Sequence, residues 1–386
     1  MSFNEKGFYT LFNHLLSIPS VSSADPSLDY GNLDVINLLA ETFSALGFNC
    51  EIIPVNEKQK KANLIATLGS GPGGLVLSGH TDTVPFDEAL WQMNPLQMTE
   101  KDNRLYGLGS TDMKGFFAVV KESVHEAVQA FAEKKLKSPL IILATADEES
   151  SMDGARALVE LGRPKARGAV IGEPTSLVPV HMHKGVMMES IHIQGQSGHS
   201  SNPALGKNAL EAMHEVISEL MSFRQMLASE YHNPHFLIDV PTLNLGAIHG
   251  GDNPNRICGH CKLEFDVRLM PGMESDAIRE RIQQIISGIA LKRQVDITLE
   301  QLFPGAPAFA NEHSELADLA ATLSGHNPES VAFGTEAPFL QALGMDTIVM
   351  GPGSIDLAHQ PNEYMALDQV KPAIGILQNL IRHYCL

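Results

Sequence analysis

Residues 73–87, GGLVLSGHTDTVPFD, join a short apolar run, Leu75 to Leu77, to His80 and Asp82. In an extended chain residues i and i+2 face the same way, so this imidazole and carboxylate share a side. A carboxylate that accepts one ring N–H leaves the other nitrogen as a neutral donor for a metal. The pair reads equally as a polar strand end in which His and Asp bond only to each other. Four further strand ends or loops carry groups of the same kind. Asp112 stands in GLGSTDMKG before a helix, and Asp147, Glu148 and Glu149 follow the apolar PLIILATA in ATADEES. Glu173 ends a strand in IGEPTS, and His359 lies in SIDLAHQPNEY near the end of the chain. A His, Asp and Glu set without cysteine suits borderline divalent ions, zinc above all, with positions left open for water. Two such ions about 3.5–4 Å apart can clamp one water, lower its pKa and polarise a substrate carbonyl.

Taken singly, each group has a plainer reading. Asp-Glu-Glu is a common solvated helix start, favourable to the helix dipole. Asp112 fits an N-cap, Glu173 before Pro174 a turn, and His359 an exposed loop. Their conjunction favours a metal centre. Consecutive Glu148 and Glu149 cannot easily face one ion together, so one is read as a ligand and the other as free for proton transfer.

The elements that must position these groups alternate between helix and strand. Residues 32–47 have helical spacing and end at Gly47; FNCEIIPV, NLIATLG and LVLSG read as strands. A helix over 114–135, the strand PLIILATA, the helix GARALVELG and the strand GAVIGEP follow. This order implies an α/β domain with a mixed, mostly parallel sheet flanked by helices, and places the candidate residues on one edge of it. The rhythm then changes. GVMMESIHIQG, NALEAMHEVISELMSFRQ, TLNLGAIHGG, CKLEFDVRLM, SDAIRERIQQIISGIA and QVDITLEQL run strand, helix, strand, strand, helix, strand, the order of a ferredoxin-like βαββαβ unit. Alternation resumes with HSELADLAATLSG, DTIVMGPGS and a last helix from Asp368. The expected division is therefore one domain from 1–181 and 304–386, interrupted by a second from 182–303.

At 386 residues, 44% hydrophobic and 19% charged, the chain has the composition of a soluble globular protein. Its net charge of −18 argues against nucleic acid and anionic membrane surfaces, which need clustered cations. MSFNEKGFYTLFNHLLSIPS reads as an amphipathic first helix rather than a secretion signal. No run approaches the ~18 apolar residues of a membrane span, and a cytoplasmic protein is expected. Cys258 and Cys261 have redox-motif spacing, but they precede an alternating strand, where residues three apart point to opposite faces. Without a second such pair they read as buried or edge cysteines. His181 and His183 share a face with no carboxylate nearby in sequence and read as structural or substrate-adjacent. GSGPGG before Leu75 lacks a following helix and lysine, so it is a turn and not a phosphate loop.

HTDTVPFD, GLGSTDMKG, ATADEES, IGEPTS and AHQPNEY, in that order, resemble the di-zinc amidohydrolases and metallopeptidases, and the resemblance covers essentially the whole chain. It implies His80, Asp112 and Glu173 on one zinc and Asp112, Glu149 and His359 on the other, with Asp112 bridging and cobalt able to replace zinc. It also implies Glu148 as general base, Asp82 as the partner of the His80 ring, and a cis peptide bond after Asp112. The inserted domain becomes a lid and dimerisation domain, and the protein a homodimer acting on a small molecule. His199 in QSGHSS resembles the family histidine that crosses the dimer interface to an oxyanion. Asn255 and Arg268 match positions that hold a substrate carboxylate, to which an arginine fork is suited; a strand-surface charge is the plainer reading of Arg268. Gly334-Thr335-Glu336-Ala337 stands where some members carry GTSD-like sequences. The resemblance implies as substrate an N-acylated amino acid with a cationic side chain, whose ammonium Glu336, beside Thr335, would meet; a succinylated diamino acid, another N-acyl amino acid or a dipeptide is the alternative.

Overall fold

The apolar run at residues 75–80 becomes the strand Leu75–His80, flanked by Leu140–Thr145 and Gly168–Pro174, and every residue of the three is buried. Asp346–Gly351 adds to the far side of Gly168–Pro174, and all three pairings are parallel. Near-continuous apolar runs are what a sheet covered on both faces requires. Because the four strands run the same way, their carboxyl ends share one edge. Lys61–Leu68 and Asn49–Asn56 extend the sheet in antiparallel fashion beyond Leu140–Thr145, which makes it mixed.

This computed structural model describes residues 4–386. It falls into two units: Met1–His181, Asn311–Glu329 and Thr335–Leu386 form the first, and Met182–Ala310 with Ser330–Gly334 the second. In the first, Leu75, Leu77, Ile142 and Val170 pack in one core with Phe8, Phe12, Phe117 and Leu377. Those partners come from the helices Glu5–Ser17, Lys114–Ser123 and Leu367–Cys385. The intervening Val76, Ile141 and Ile171 are buried on the opposite face, as the two-residue period demands. The N-terminal helix buries Phe8, Leu11, Phe12, Leu15 and Leu16, an i, i+3, i+4 stripe, and Asn4 caps it by accepting the N–H of Gly7 at 3.1 Å. The first three residues of the expected helix lie outside the described residues. The expected helix over 114–135 is two, Lys114–Ser123 and His125–Ala132, because Val124 between them has ψ −2°, off the helical value.

A small sheet that periodicity does not reveal, since each strand has three residues, pairs Tyr364–Ala366 with Arg104–Tyr106 and that with Thr99–Lys101. It fastens the segment after His359 beside the loop that carries Asp112.

The second unit is a four-stranded antiparallel sheet in the order Thr242–Gly250, His260–Leu269, Gly185–Gln194, Asp296–Ala306. Ala209–Glu230 and Ser275–Arg293 bury Val216, Leu220, Ile282 and Ile286 in a core with Ile191, Leu263 and Phe265 from the strands. This is the βαββαβ arrangement. The unit extends past the expected boundary at 303. The strand expected to close with QVDITLEQL at Leu302 runs on to Ala306, through an irregularity at Pro304 and Gly305 beyond which Ala306 still pairs with Val186. Phe309–Ala310 then pairs with Met182 and His183. Among the described residues no helix is long and apolar enough to cross a membrane.

Candidate metal centre

His80, Asp112, Glu148, Glu149, Glu173 and His359 converge in the first unit. Three groups have ligand atoms within 4.8 Å of one another: His80, Asp112 and Glu173; Asp112, Glu149 and His359; and His80, Glu148 and Glu149. Asp112 connects the first two. Its Oδ1 lies 3.0 Å from His80 Nε2 and its Oδ2 3.4 Å from His359 Nε2. Glu149 lies 3.0 Å from His359 Nε2, and Glu173 Oε1 3.8 Å from His80 Nε2. The peptide bond between Asp112 and Met113 is cis.

Each ligand is aimed by its own loop. His80 Nδ1 donates to the main-chain carbonyl of Asp82 at 3.0 Å, which leaves Nε2 for the centre. The Asp82 carboxylate is 3.7 Å from His80 Nδ1 and is otherwise engaged: it accepts the backbone N–H groups of Glu148 and Glu149 at 3.3 and 3.0 Å. The preceding Asp147 adopts the left-handed conformation, φ +62°. Such a turn can present successive N–H groups to an anion. Two consecutive glutamates are thereby held at one centre. Asp112 is fixed by Glu363, whose buried carboxylate accepts the N–H groups of Gly109, Thr111 and Asp112 at 3.2, 2.7 and 3.0 Å.

The electrostatics are those of a site that wants a cation. Burial, and then the charge of Glu173, hold Glu148 well above the usual carboxylate range, and burial does the same to Glu173. Burial of Asp112 is outweighed by its hydrogen bonds with His359 and His80, which keep it well below that range. Hydrogen bonds with Asp112 and Glu149 push His359 up to about 10. Burial opposes the charge of His80, yet the surrounding carboxylates raise it well above its ordinary value. Glu173 Oε1 is buried with no hydrogen-bond partner among the described residues. An orphaned carboxylate oxygen beside an oriented imidazole nitrogen and a shared aspartate fits a divalent ion.

Glu336 is buried at the start of the helix Ala337–Ala342. Its Oε2 accepts the Thr145 hydroxyl at 2.9 Å, its Oε1 has no hydrogen-bond partner among the described residues, and burial pushes it to about 7. Thr335 is buried beside it, and its Oγ1 accepts the N–H of Ala337 at 3.1 Å. His199, Asn255 and Arg268 belong to the second unit. His199 is exposed, and its Nδ1 accepts the N–H of Ser201 at 3.2 Å, so the neutral ring carries its proton on Nε2. Asn255 is exposed and its carbonyl accepts the N–H of Ser200 at 3.1 Å. The Arg268 Nε donates to Asp266 at 3.1 Å. His181 donates to the Asn311 carbonyl at 3.2 Å, while His183 is buried and donates to that of Lys184 at 2.9 Å. Cys258 and Cys261 are buried free thiols, with Cys261 on the strand His260–Leu269.

Sequence reasoning missed Glu363 and Lys61. Glu363 stands four residues after His359 in the AHQPNEY stretch, but only the register of the small sheet brings it to the Asp112 loop.

The pattern of Peptidase family M20/M25/M40 matches residues 76–383. An acetylornithine deacetylase of Pectobacterium carotovorum subsp. carotovorum (strain PC1) is 45% identical over 386 residues, 100% of both chains. One of Edwardsiella ictaluri (strain 93-146) is 46% identical over 379 residues, 98% of each chain. The crystal structure of the M20 family metallo-carboxypeptidase Sso-CP2 from Sulfolobus solfataricus shares the fold, with TM-score 0.76 at 17% identity over 98% of this chain and 99% of that one.

Proposed function

The chain belongs to peptidase family M20/M25/M40, and from that membership we propose that it is a metal-dependent amidohydrolase converting N-alpha-acetyl-L-ornithine and water to L-ornithine and acetate. The full-length likeness to acetylornithine deacetylases supports the substrate. The observation that carries the chemistry is Asp112, whose two oxygens face His80 on one side and His359 on the other. In this reading the enzyme is a cytoplasmic homodimer, paired through its second unit, and serves arginine biosynthesis.

His80, Asp112 and Glu173 would hold one ion and Asp112, Glu149 and His359 a second. Zinc is the reading the donor set favours, with cobalt able to substitute. Bound there, such ions supply Lewis acidity toward the amide carbonyl and make a water acidic near neutral pH.

Glu148 is the general base. Its raised pKa suits it to take a proton from the attacking water and return it to the leaving nitrogen as the C–N bond breaks. Asp82, by holding the Glu148 amide, fixes where that proton is taken. His199, with its proton on Nε2, is the oxyanion donor contributed across the dimer. Asn255 and Arg268 receive the α-carboxylate. Glu336, with Thr335 bracing the turn, receives the side-chain ammonium through Oε1, which has no hydrogen-bond partner among the described residues. Replacement of Glu148 by Ala tests the assignment: turnover is lost and bound zinc retained if it holds, whereas a variant that still turns over removes Glu148 from the mechanism.

A further inference from the structure

Lys61 begins the strand Lys61–Leu68, and it is buried. That strand runs antiparallel to Leu140–Thr145 with Leu64 opposite Ala144, and the same register carried past the strand end brings Lys61 opposite Asp147. The contact is made: Lys61 Nζ lies 2.6 Å from Asp147 Oδ1 and 2.8 Å from Asp29 Oδ1. Asp147 Oδ1 also accepts the Ser22 hydroxyl at 2.7 Å, and Ser22 Oγ meets Ser150 Oγ. Two residues along, on the same face, Asn63 accepts the N–H of Ala146 at 3.1 Å and donates to the Gly154 carbonyl at 2.8 Å. One strand thus grips the 146–154 loop at both ends. The Asp147 carbonyl, meanwhile, accepts the N–H groups of Ser151 and Met152 at 3.1 and 2.6 Å.

Resting on the reading of Glu148 and Glu149 given above, the geometry points to Lys61 as a positioning residue that acts through Asp147 on that loop. Aspartate tolerates the left-handed conformation better than most residues, but an unpaired buried carboxylate would draw the turn toward water. The ammonium of Lys61 keeps Asp147 inside. With Asp147 fixed, the following two amides meet Asp82, and the side chains of Glu148 and Glu149 divide between proton transfer and metal. Lys61 pairs with Asp29 and Asp147, neither of them a proposed metal ligand.

The test uses the full chain, stripped of metal and titrated with cobalt(II) alone, alongside steady-state kinetics of the zinc-loaded enzyme. Lys61→Met should weaken cobalt binding about 10- to 100-fold and lower kcat on the order of 100-fold, with KM little changed. Lys61→Arg, which keeps a cation in place, should recover most of both. Asp29→Asn, which removes only the outer carboxylate, should lower thermal stability and leave cobalt affinity and kcat at parental levels. A folded Lys61→Met protein with parental cobalt affinity and kcat overturns the proposal, whatever its melting temperature. Should Lys61→Met not fold, Asp147→Asn decides in its place: weakened cobalt binding upholds the proposal and parental binding overturns it. If the parent fails to hydrolyse acetylornithine, the functional reading falls, while the cobalt titration still judges Lys61.

Discussion

The carboxylate of Asp82 accepts the backbone N–H of Glu149 at 3.0 Å, and its second oxygen that of Glu148 at 3.3 Å. The His80 ring takes the Asp82 main-chain carbonyl instead. In the proposed reading Asp82 therefore bears on the placement of Glu148 and Glu149 more directly than on imidazole orientation. Asparagine offers one acceptor oxygen and turns a donor toward the other amide. Asp82→Asn should lower kcat about 10- to 100-fold with KM little affected. A variant that instead loses zinc with an intact per-zinc rate would assign Asp82 to His80 alone.

Glu363 makes the second such anchor. In Glu363→Ala the amides of Gly109, Thr111 and Asp112 lose a buried acceptor, at about 1–3 kcal/mol for each one left unpaired. The expected outcome is a lower melting temperature together with zinc affinity reduced about 10- to 100-fold. Competition with a chromophoric chelator reads the affinity directly, and parental affinity would detach Glu363 from the centre.

The metal-free protein should lose stability as pH rises. Burial raises Asp82, Glu336 and Glu363 to about 6, about 7 and about 8. A carboxyl raised on folding keeps its proton longer in the folded chain than in the unfolded one. Its contribution is complete below its ordinary value and is lost as pH climbs through the folded value. His359, raised to about 10, has the same sign. Asp112 has the opposite sign, and its contribution fades only as pH falls below its ordinary 3.8. Burial lowers His183 to about 4 and Lys114 to about 7, which also favours higher pH, but the raised groups outnumber these two. The melting temperature of chelator-treated protein should thus decline from mildly acidic pH to about 8. Zinc displaces these protons, so the stabilisation it brings should grow over the same range. A metal-free melting temperature that climbs there would contradict the assignment.

Glu336 should set the preference for a cationic substrate. Glu336→Gln should reduce kcat/KM for N-alpha-acetylornithine on the order of 100-fold and leave that for N-acetylmethionine nearly unchanged. An unaltered ratio between the two substrates would move ammonium recognition elsewhere.

How much of this could be read beforehand depended on the kind of contact. His80, Glu149 and Glu173 follow buried apolar runs, and parallel strands must end together, so their convergence follows from local pattern. Glu148 and Glu149 read as two roles on the ground that adjacent side chains diverge, yet both reach the centre, with ligand atoms within 4.8 Å of each other and of His80. The anchors were hidden because each depends on register. Lys61 meets Asp147 only through antiparallel pairing with a strand 70-odd residues away in sequence. Glu363 reaches Asp112 through strands of three residues, too short to show a period. The last strand of the second unit is expected from its pattern to end at Leu302 and runs on to Ala306, because Pro and Gly serve an irregularity inside a strand as readily as a strand end.

The most direct test is a side-by-side comparison of initial rates of the zinc-reconstituted protein on N-alpha-acetylornithine, N-acetylmethionine and succinyl-diaminopimelate. A clear preference in kcat/KM for acetylornithine, abolished by chelation and restored by zinc, is the predicted result. Equal or higher kcat/KM on either other substrate would leave the metal centre standing and contradict the proposed function.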